Sequence, residues 1–194
     1  MIDWRRELPP LSTRLVVLRE PRLDDAGPLV DLLSISDASR FGLDEASLDD
    51  GMQPFLVRVR DERAVGVSFT YLITLAVTKA VVGLVQVRRL DPSFEAAEWE
   101  MTLAPSARGT GVFVDAARLV GSFAFEAVGA YRLESRVVVQ NGRANGALRK
   151  LGAVQEGVLR RSVRRGDEYF DQVLWSVLKD DWGQLWMTPA SRVH

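Results

Sequence analysis

The sequence predicts an α/β domain with a mixed, mostly antiparallel central sheet flanked by helices. Three observations carry that expectation. Runs rich in β-branched and apolar residues near Ser68–Val77, Ala80–Arg89 and Glu95–Leu103 follow one another with short breaks, as in an antiparallel meander. After them, helical and extended segments alternate to the end of the chain. The helix expected at Val112–Val128 is apolar on most sides, and its polar Asp115, Arg118, Ser122 and Glu126 fall three or four apart. Only a narrow stripe would face water, so that helix belongs across a sheet. This order suits neither a doubly wound sheet nor a barrel.

At 194 residues the chain is expected to be one domain with a core of useful size. Taken in order, Leu15–Arg19 reads as a short strand, and Asp24 or Asp25 can cap a helix carrying Ala26, Leu29, Leu32 and Leu33 on one face. Residues 34 to 52 are polar with loop and helix character, and a second helix is expected over Asp50–Arg63. The three meander strands follow, with a break at Leu90-Asp91-Pro92-Ser93. The third strand is ended by Ala104-Pro105. Gly129 closes the apolar helix as a natural C′ residue. Arg132–Val139 is a strand, Arg143–Leu151 a short helix closed by Gly152, and Gln172–Leu178 a final strand.

Composition removes whole classes of chemistry. There is no Cys, and the one His is His194. A disulfide framework, a thiolate zinc site, a thiol nucleophile, a Ser-His-Asp triad and a multi-His metal centre are therefore not expected. Carboxylates, hydroxyls, Arg, backbone amides or a borrowed cofactor must do the work, with no metal. The formal charge of −1 gives no general pull toward nucleic acid or an anionic membrane. Of the 25 basic residues, 22 are Arg and three are Lys, a skew from which no function follows. MIDWRRELPP lacks the apolar core of a signal peptide, and Val65–Val87 is better explained by two buried strands than by a membrane span. A soluble, cytoplasmic protein is expected.

The densest turn signal is Arg108-Gly109-Thr110-Gly111, between a strand and a helix start. Unpaired N–H groups and the helix dipole make such a junction an anion site, and glycines let the backbone approach the ligand. The dinucleotide fingerprint fails because Val114 stands where its third Gly is needed, and no Gly-Lys-Ser/Thr of a P-loop is present. On its own, a bare Gly-x-Gly reads as a tight turn.

Its surroundings change that. Arg108-Gly109-Thr110-Gly111-Val112-Phe113 resembles the Arg/Gln-x-x-Gly-x-Gly/Ala pyrophosphate loop of the GNAT superfamily of acyl-CoA N-acyltransferases. Ala97 to Pro105, Asp115-Ala116, Phe123 to Glu126, Tyr131 to Arg136, Asn141 and Lys150-Leu151-Gly152 resemble its RimJ/RimL-like branch, the ribosomal-protein N-terminal acetyltransferases. Leu11 to Arg19 and Asp171 with Trp175 to Trp182 look like the same branch, so the likeness spans about residues 11 to 182 of one domain, leaving 183 to 194 as a tail.

The resemblance implies a GNAT-like sheet in which a splayed strand pair forms the cleft for acetyl-CoA, the acyl donor. Backbone groups of Thr102 and Leu103 would bind the pantetheine and the acetyl carbonyl. The N–H groups of Arg108, Gly109, Thr110, Gly111, Val112 and Phe113 would hold the pyrophosphate, bordered by the Arg108 side chain. Asn141 would hydrogen-bond the pantetheine arm. The reaction implied is direct attack by an amine, from a protein N-terminus or a small molecule. A carboxylate would act as base: Glu98 first, since it matches the family's glutamate, and Glu100 second. Two residues apart on a strand, they share a face. A solvated strand face paired with Arg is the plainer account of both. Phe113, where the family has Gly or Ala, either crowds the phosphates or points into the core. Ala144 replaces a family Ser, and Leu148 stands where many relatives carry a Tyr acid. A fold relative that binds acyl-CoA without transfer, for sensing or interaction, is the alternative.

Other features stay open. Arg160, Arg161, Arg164 and Arg165 form either a solvated hairpin turn or a dock for an acidic partner. Trp182, Trp186 and Met187 are either a core edge or a homodimer contact, and Trp99, Phe41 and Arg40 are candidates to face the acceptor.

Overall fold

The computed structural model describes residues 3–32 and 52–187. Strands β1 (Leu11–Ser12) and β2 (Val16–Arg19) lead through a 3₁₀ turn into helix α1 (Ala26–Leu32). Helix α2 (Gln53–Ala64) precedes the meander β3 (Ser68–Leu75), β4 (Val81–Arg89) and β5 (Ala96–Leu103). Then come α3 (Val112–Phe123), β6 (Arg132–Val138), α4 (Gly142–Lys150), β7 (Val154–Arg165), β8 (Glu168–Leu178) and α5 (Lys179–Met187).

The described strands form one eight-stranded sheet in the order β1-β2-β3-β4-β5-β6-β8-β7. Every neighbouring pair is antiparallel except β5 and β6. That exception follows from the chain path, because α3 carries it from the end of β5 back to the start of β6, the crossover a parallel pair requires. One face is covered by α1 and α2, where Leu29, Phe55, Leu56 and Val59 pack on Leu72 and Leu84. The other carries the larger core, in which Val112, Ala116, Val120 and Phe123 of α3 meet Phe69, Tyr71, Val85 and Val87.

Helix α3 behaves as its pattern required. Its wet side is reduced to Arg118 and Glu126, because Asp115 is taken by Thr13 (2.7 Å) and Ser122 by the Trp182 indole N–H (3.0 Å). The helix ends in a π-turn, Ala124–Val128, and Gly129 closes it at φ 96°. Trp182 of α5 lies in the core against Trp99 and Phe125, which makes it a core edge within this chain. It fits because Gly121 has no side chain: a Cβ there would stand 2.4 Å from the indole.

Three sequence expectations need correction. Neither Asp24 nor Asp25 is the N-cap of α1; the cap of the preceding 3₁₀ turn is Arg22, and Asp25 instead accepts the Arg22 N–H (2.7 Å) while pairing with Arg19 (2.6 Å). Burial would raise the Asp25 pKa, but these donors outweigh it and hold the carboxyl below its ordinary value. The last strand begins at Glu168, four residues earlier than expected, and pairs with a 12-residue β7 that the sequence reading passed over. The Arg cluster therefore lies on a strand rather than in the turn. An irregularity between Leu159 and Val163 puts Arg161 at φ 49°, its N–H bound to the Asp171 carboxylate at 2.7 Å. The segment 33–51 and the residues from 188 on, with Leu33, Arg40, Phe41 and His194, lie outside the described residues, as do the side chains of Trp186 and Met187.

Candidate active site

The parallel pair at the centre of the sheet is incomplete. β5 and β6 are in register only at Ala96–Arg132, Ala97–Leu133 and Glu98–Glu134, after which the ladder stops. Each strand nevertheless stays paired with its outer neighbour, β5 with β4 to Leu103 and β6 with β8 to Val138. The two strands therefore diverge as a wedge, open at the carboxyl ends of the one parallel pair among the described strands, where α/β sheets offer ligands a crevice. Beyond the ladder the Ser135 hydroxyl reaches across the wedge and donates to the Trp99 C=O at 3.1 Å, both residues being buried.

Strand alternation decides which backbone groups look into the wedge. Ala104 N–H donates to Val82 C=O, so Ala104, Thr102 and Glu100 bond toward β4. Trp99, Met101 and Leu103 turn the other way, toward β6. The Thr102 backbone is thus committed to the β4 ladder, against the sequence expectation, and Met101, which that expectation did not include, turns toward the opening instead. Leu103 is oriented as expected, although its C=O already accepts from Arg108 Nε at 3.0 Å. Between that bond and the Ser135–Trp99 tie, the edge presents Met101 N–H, Met101 C=O and Leu103 N–H.

The rim is the glycine loop. A 3₁₀ turn at Pro105–Ala107 uses the Arg108 N–H, which donates to Pro105 C=O at 3.3 Å, and Thr110 Oγ1 donates to Ala107 C=O at 2.7 Å. The Arg108 N–H and Nε are therefore spent inside the loop, not turned outward as expected. Gly109 and Gly111 sit at φ 81° and 92°, the left-handed region that favours glycine. A Cβ on Gly109 would meet nothing within 4 Å, so the space in front of the loop is open. Gly111 caps α3 without any side-chain hydrogen bond, leaving the first-turn N–H groups of Val112 and Phe113 without a capping side chain. Phe113 is half-buried and packs on the main core. Thr13, invisible to motif reading, fixes this junction: its hydroxyl donates to Asp115 and accepts the N–H groups of Leu15 and Val16.

Glu98 and Glu100 share the α1/α2 face, alternating with the buried Ala97 and Trp99 of the opposite face. Glu98 sits at the last ladder pair, and its carboxylate meets Arg136 at 3.5 Å. Glu100 stands two residues further along, beside the opening. A line of alternating charge flanks them. Arg88, across from Glu98 in register, binds Glu62 of α2 at 3.0 Å. On the far side Arg136 approaches Glu134 (3.9 Å), Arg132 binds Glu134 (2.8 Å), and Arg132 binds Glu156 (2.5 Å). The Arg132 hydrogen bond, helped by the Ser176 hydroxyl, holds the Glu156 carboxyl down to about 2.

Across the opening, Asn141 caps α4, its Oδ1 accepting the Ala144 N–H at 3.1 Å. Asn145, buried, anchors the same turn: its amide donates to the C=O groups of Val138, Val139 and Asn141 and accepts the Trp175 indole N–H at 2.8 Å. Leu148 is buried in the core and offers no acid. Two hollows lie apart from this cleft, about 730 Å³ beside α2 at Val57, Arg58 and Asp61 and about 500 Å³ at Glu95, Tyr131 and Lys179. Among the described residues no group of three or more acidic or His side chains is placed to hold a metal, and no helix is long and apolar enough to cross a membrane.

A wedge between parallel strands with a glycine loop at its rim is the arrangement the sequence likeness implied. Residues 15–154 match the acetyltransferase (GNAT) domain family. The chain belongs to the GNAT acetyltransferases. It is 25% identical over 176 residues to an uncharacterized N-acetyltransferase, YoaA, of Bacillus subtilis, covering 88% of this chain and 97% of that protein. Its fold is shared with Mycobacterium smegmatis RimJ in complex with CoA-disulfide (TM-score 0.76, 21% identity, 89% and 87% of the two chains). It is shared also with the ribosomal-protein-S5-alanine acetyltransferase of Vibrio fischeri (TM-score 0.78, 17% identity, 90% and 98%). These GNAT neighbours are consistent with the RimJ/RimL-like branch.

Proposed function

We propose that this GNAT chain transfers the acetyl group of acetyl-CoA to an amine, on a small molecule or a polypeptide N-terminus, by direct attack in a ternary complex. The observation that supports it best is the wedge itself, a donor-acceptor-donor backbone edge running up to a helix start with no capping side chain. The edge suits the amides of an extended pantetheine arm. Gly109, Thr110, Gly111, Val112 and Phe113 supply N–H groups for a diphosphate. Asn141, whose Oδ1 serves the cap, keeps its amide N–H₂ for the arm.

Acetyl-CoA bound there supplies an activated acyl carbon. Met101 N–H donates to the carbonyl oxygen as negative charge develops on it. Glu98 or Glu100 takes a proton from the attacking ammonium, directly or through water, leaving the lone pair free to form the C–N bond. As that bond forms the C–S bond breaks, and the second proton of the former ammonium passes from the nitrogen through water to the departing thiolate, which needs no acid side chain, in keeping with Leu148 in the Tyr position.

The test is thermal shift with acetyl-CoA followed by CoA release across an amine panel. Saturation at 100 times Kd stabilises by about 2.7 kcal/mol. No shift defeats the proposal, and a shift without CoA release favours the non-catalytic acyl-CoA-binding alternative. Glu98→Gln and Glu100→Gln separate the two carboxylates: the base is the one whose loss lowers kcat while acetyl-CoA binding persists.

A further inference from the structure

We infer that Ser135 is a specificity-determining residue that limits the donor to short acyl groups, an inference that rests on acetyl-CoA lying in the wedge. In a continued parallel ladder the Trp99 C=O would accept from a backbone N–H of β6. The Ser135 hydroxyl takes that acceptor instead, at 3.1 Å, and the residues on both sides of the bond are buried. The tie closes the narrow end of the wedge without continuing the ladder, and Glu98–Glu134 remains the last registered pair.

The position of the tie sets the space for the acyl chain. The Trp99 C=O and the Met101 N–H belong to successive peptide units, about 3.3 Å of strand apart. A donor whose diphosphate lies at the Gly109–Gly111 rim runs inward along Leu103 and Met101, so its thioester carbonyl meets the Met101 N–H. The acyl substituent then points toward Trp99 and the Ser135 hydroxyl. A methyl fits before the tie, whereas a longer chain has to part Ser135 from Trp99 and leave a buried carbonyl without its donor. Ser135 touches neither the reacting carbon nor the thioester in this arrangement, and acts through the closed end of the wedge.

Calorimetric titration with CoA, acetyl-CoA, propionyl-CoA and butyryl-CoA tests this on the wild type and on Ser135→Ala. Wild type is expected to weaken by about tenfold or more between acetyl-CoA and butyryl-CoA, within the range one or two methylenes command in a closed pocket. Ser135→Ala is expected to shrink that ratio to about threefold or less with its affinity for free CoA unchanged, a pattern that general loosening does not produce. An unchanged ratio in Ser135→Ala overturns the inference. If Ser135→Ala does not fold, Ser135→Cys, similar in volume and a weaker donor, must relax the ratio in the same direction or the inference fails. Wild type that binds no thioester overturns the acetyl-CoA reading and this inference with it; wild type that binds all of them equally overturns the inference alone.

Discussion

Arg108 Nε donates to the Leu103 C=O at 3.0 Å, folding the side chain back onto the end of β5 rather than over the glycine loop. The bond joins the strand that forms the edge of the wedge to the loop at its rim, five residues on. Arg108→Ala should cost about 0.5–1.5 kcal/mol of stability, the worth of one such hydrogen bond. Acetyl-CoA affinity should fall by about a hundredfold, more than that hydrogen bond alone is worth, because edge and rim are no longer held in one geometry. Thermal melts and titration of the same variant compare the two losses.

Gly109 has empty space where a Cβ would stand, so its cost of substitution is conformational within the protein and steric only toward a ligand. Gly109→Ala should lose about 1 kcal/mol for its left-handed φ. Its affinity for acetyl-CoA should drop by about tenfold or more, since the methyl occupies the approach to the loop amides. Equal small losses in both would show that the diphosphate does not lie there.

Gly121 presents the opposite case. A Cβ would stand 2.4 Å from the Trp182 ring, so Gly121→Ala must push α5 away from α3. A loss of about 1–3 kcal/mol is expected from overpacking, measured by denaturant unfolding. The paired change Gly121→Ala with Trp182→Leu should recover part of it.

Asn145 spends its whole side chain inside the protein, on three carbonyls and the Trp175 indole. Asn145→Ala leaves several buried polar groups unsatisfied and should cost about 2–4 kcal/mol. The turn carrying Asn141 is loosened with it, so acetyl-CoA binding should weaken even at temperatures where the variant is folded.

Acid should weaken the network beside the carboxylates. The Glu156 carboxyl is depressed to about 2 in the folded chain by Arg132 and then Ser176. A depressed folded pKa contributes stability above the unfolded value that is lost as pH falls through the folded one. Stability should therefore decline between about pH 5 and pH 2. Glu156 is 35% exposed, so solvent screening keeps its share below about 1 kcal/mol. Denaturant midpoints across that range should fall less steeply for Glu156→Gln than for wild type.

Much of this was legible in one dimension. The meander, the buried helix at Val112 and the glycine turn each carry a local signature: alternation, a narrow polar stripe, a Gly-x-Gly at a strand-to-helix junction. The pairing of Glu98 with Glu100 on one face followed from strand periodicity alone. β7 escaped because its side chains are mostly exposed and five of its twelve residues are charged, so it lacks the apolar alternation that marks a half-buried strand.

What the sequence by itself determined is the order of elements, the location of the loop and the chemistry available to a chain without Cys and with one terminal His. The tertiary structure alone decided which groups face the opening. Whether Thr102 or Met101 turns toward β6 depends on the register of β5 against β4, a one-residue choice that inverts every backbone group. That Ser135 reaches Trp99 and Thr13 reaches Asp115 depends on segments brought together by packing, 36 and 102 residues apart. Local propensity carries no record of such meetings, because a hydrogen bond across the sheet costs a neighbouring sequence nothing and is fixed only when the core closes.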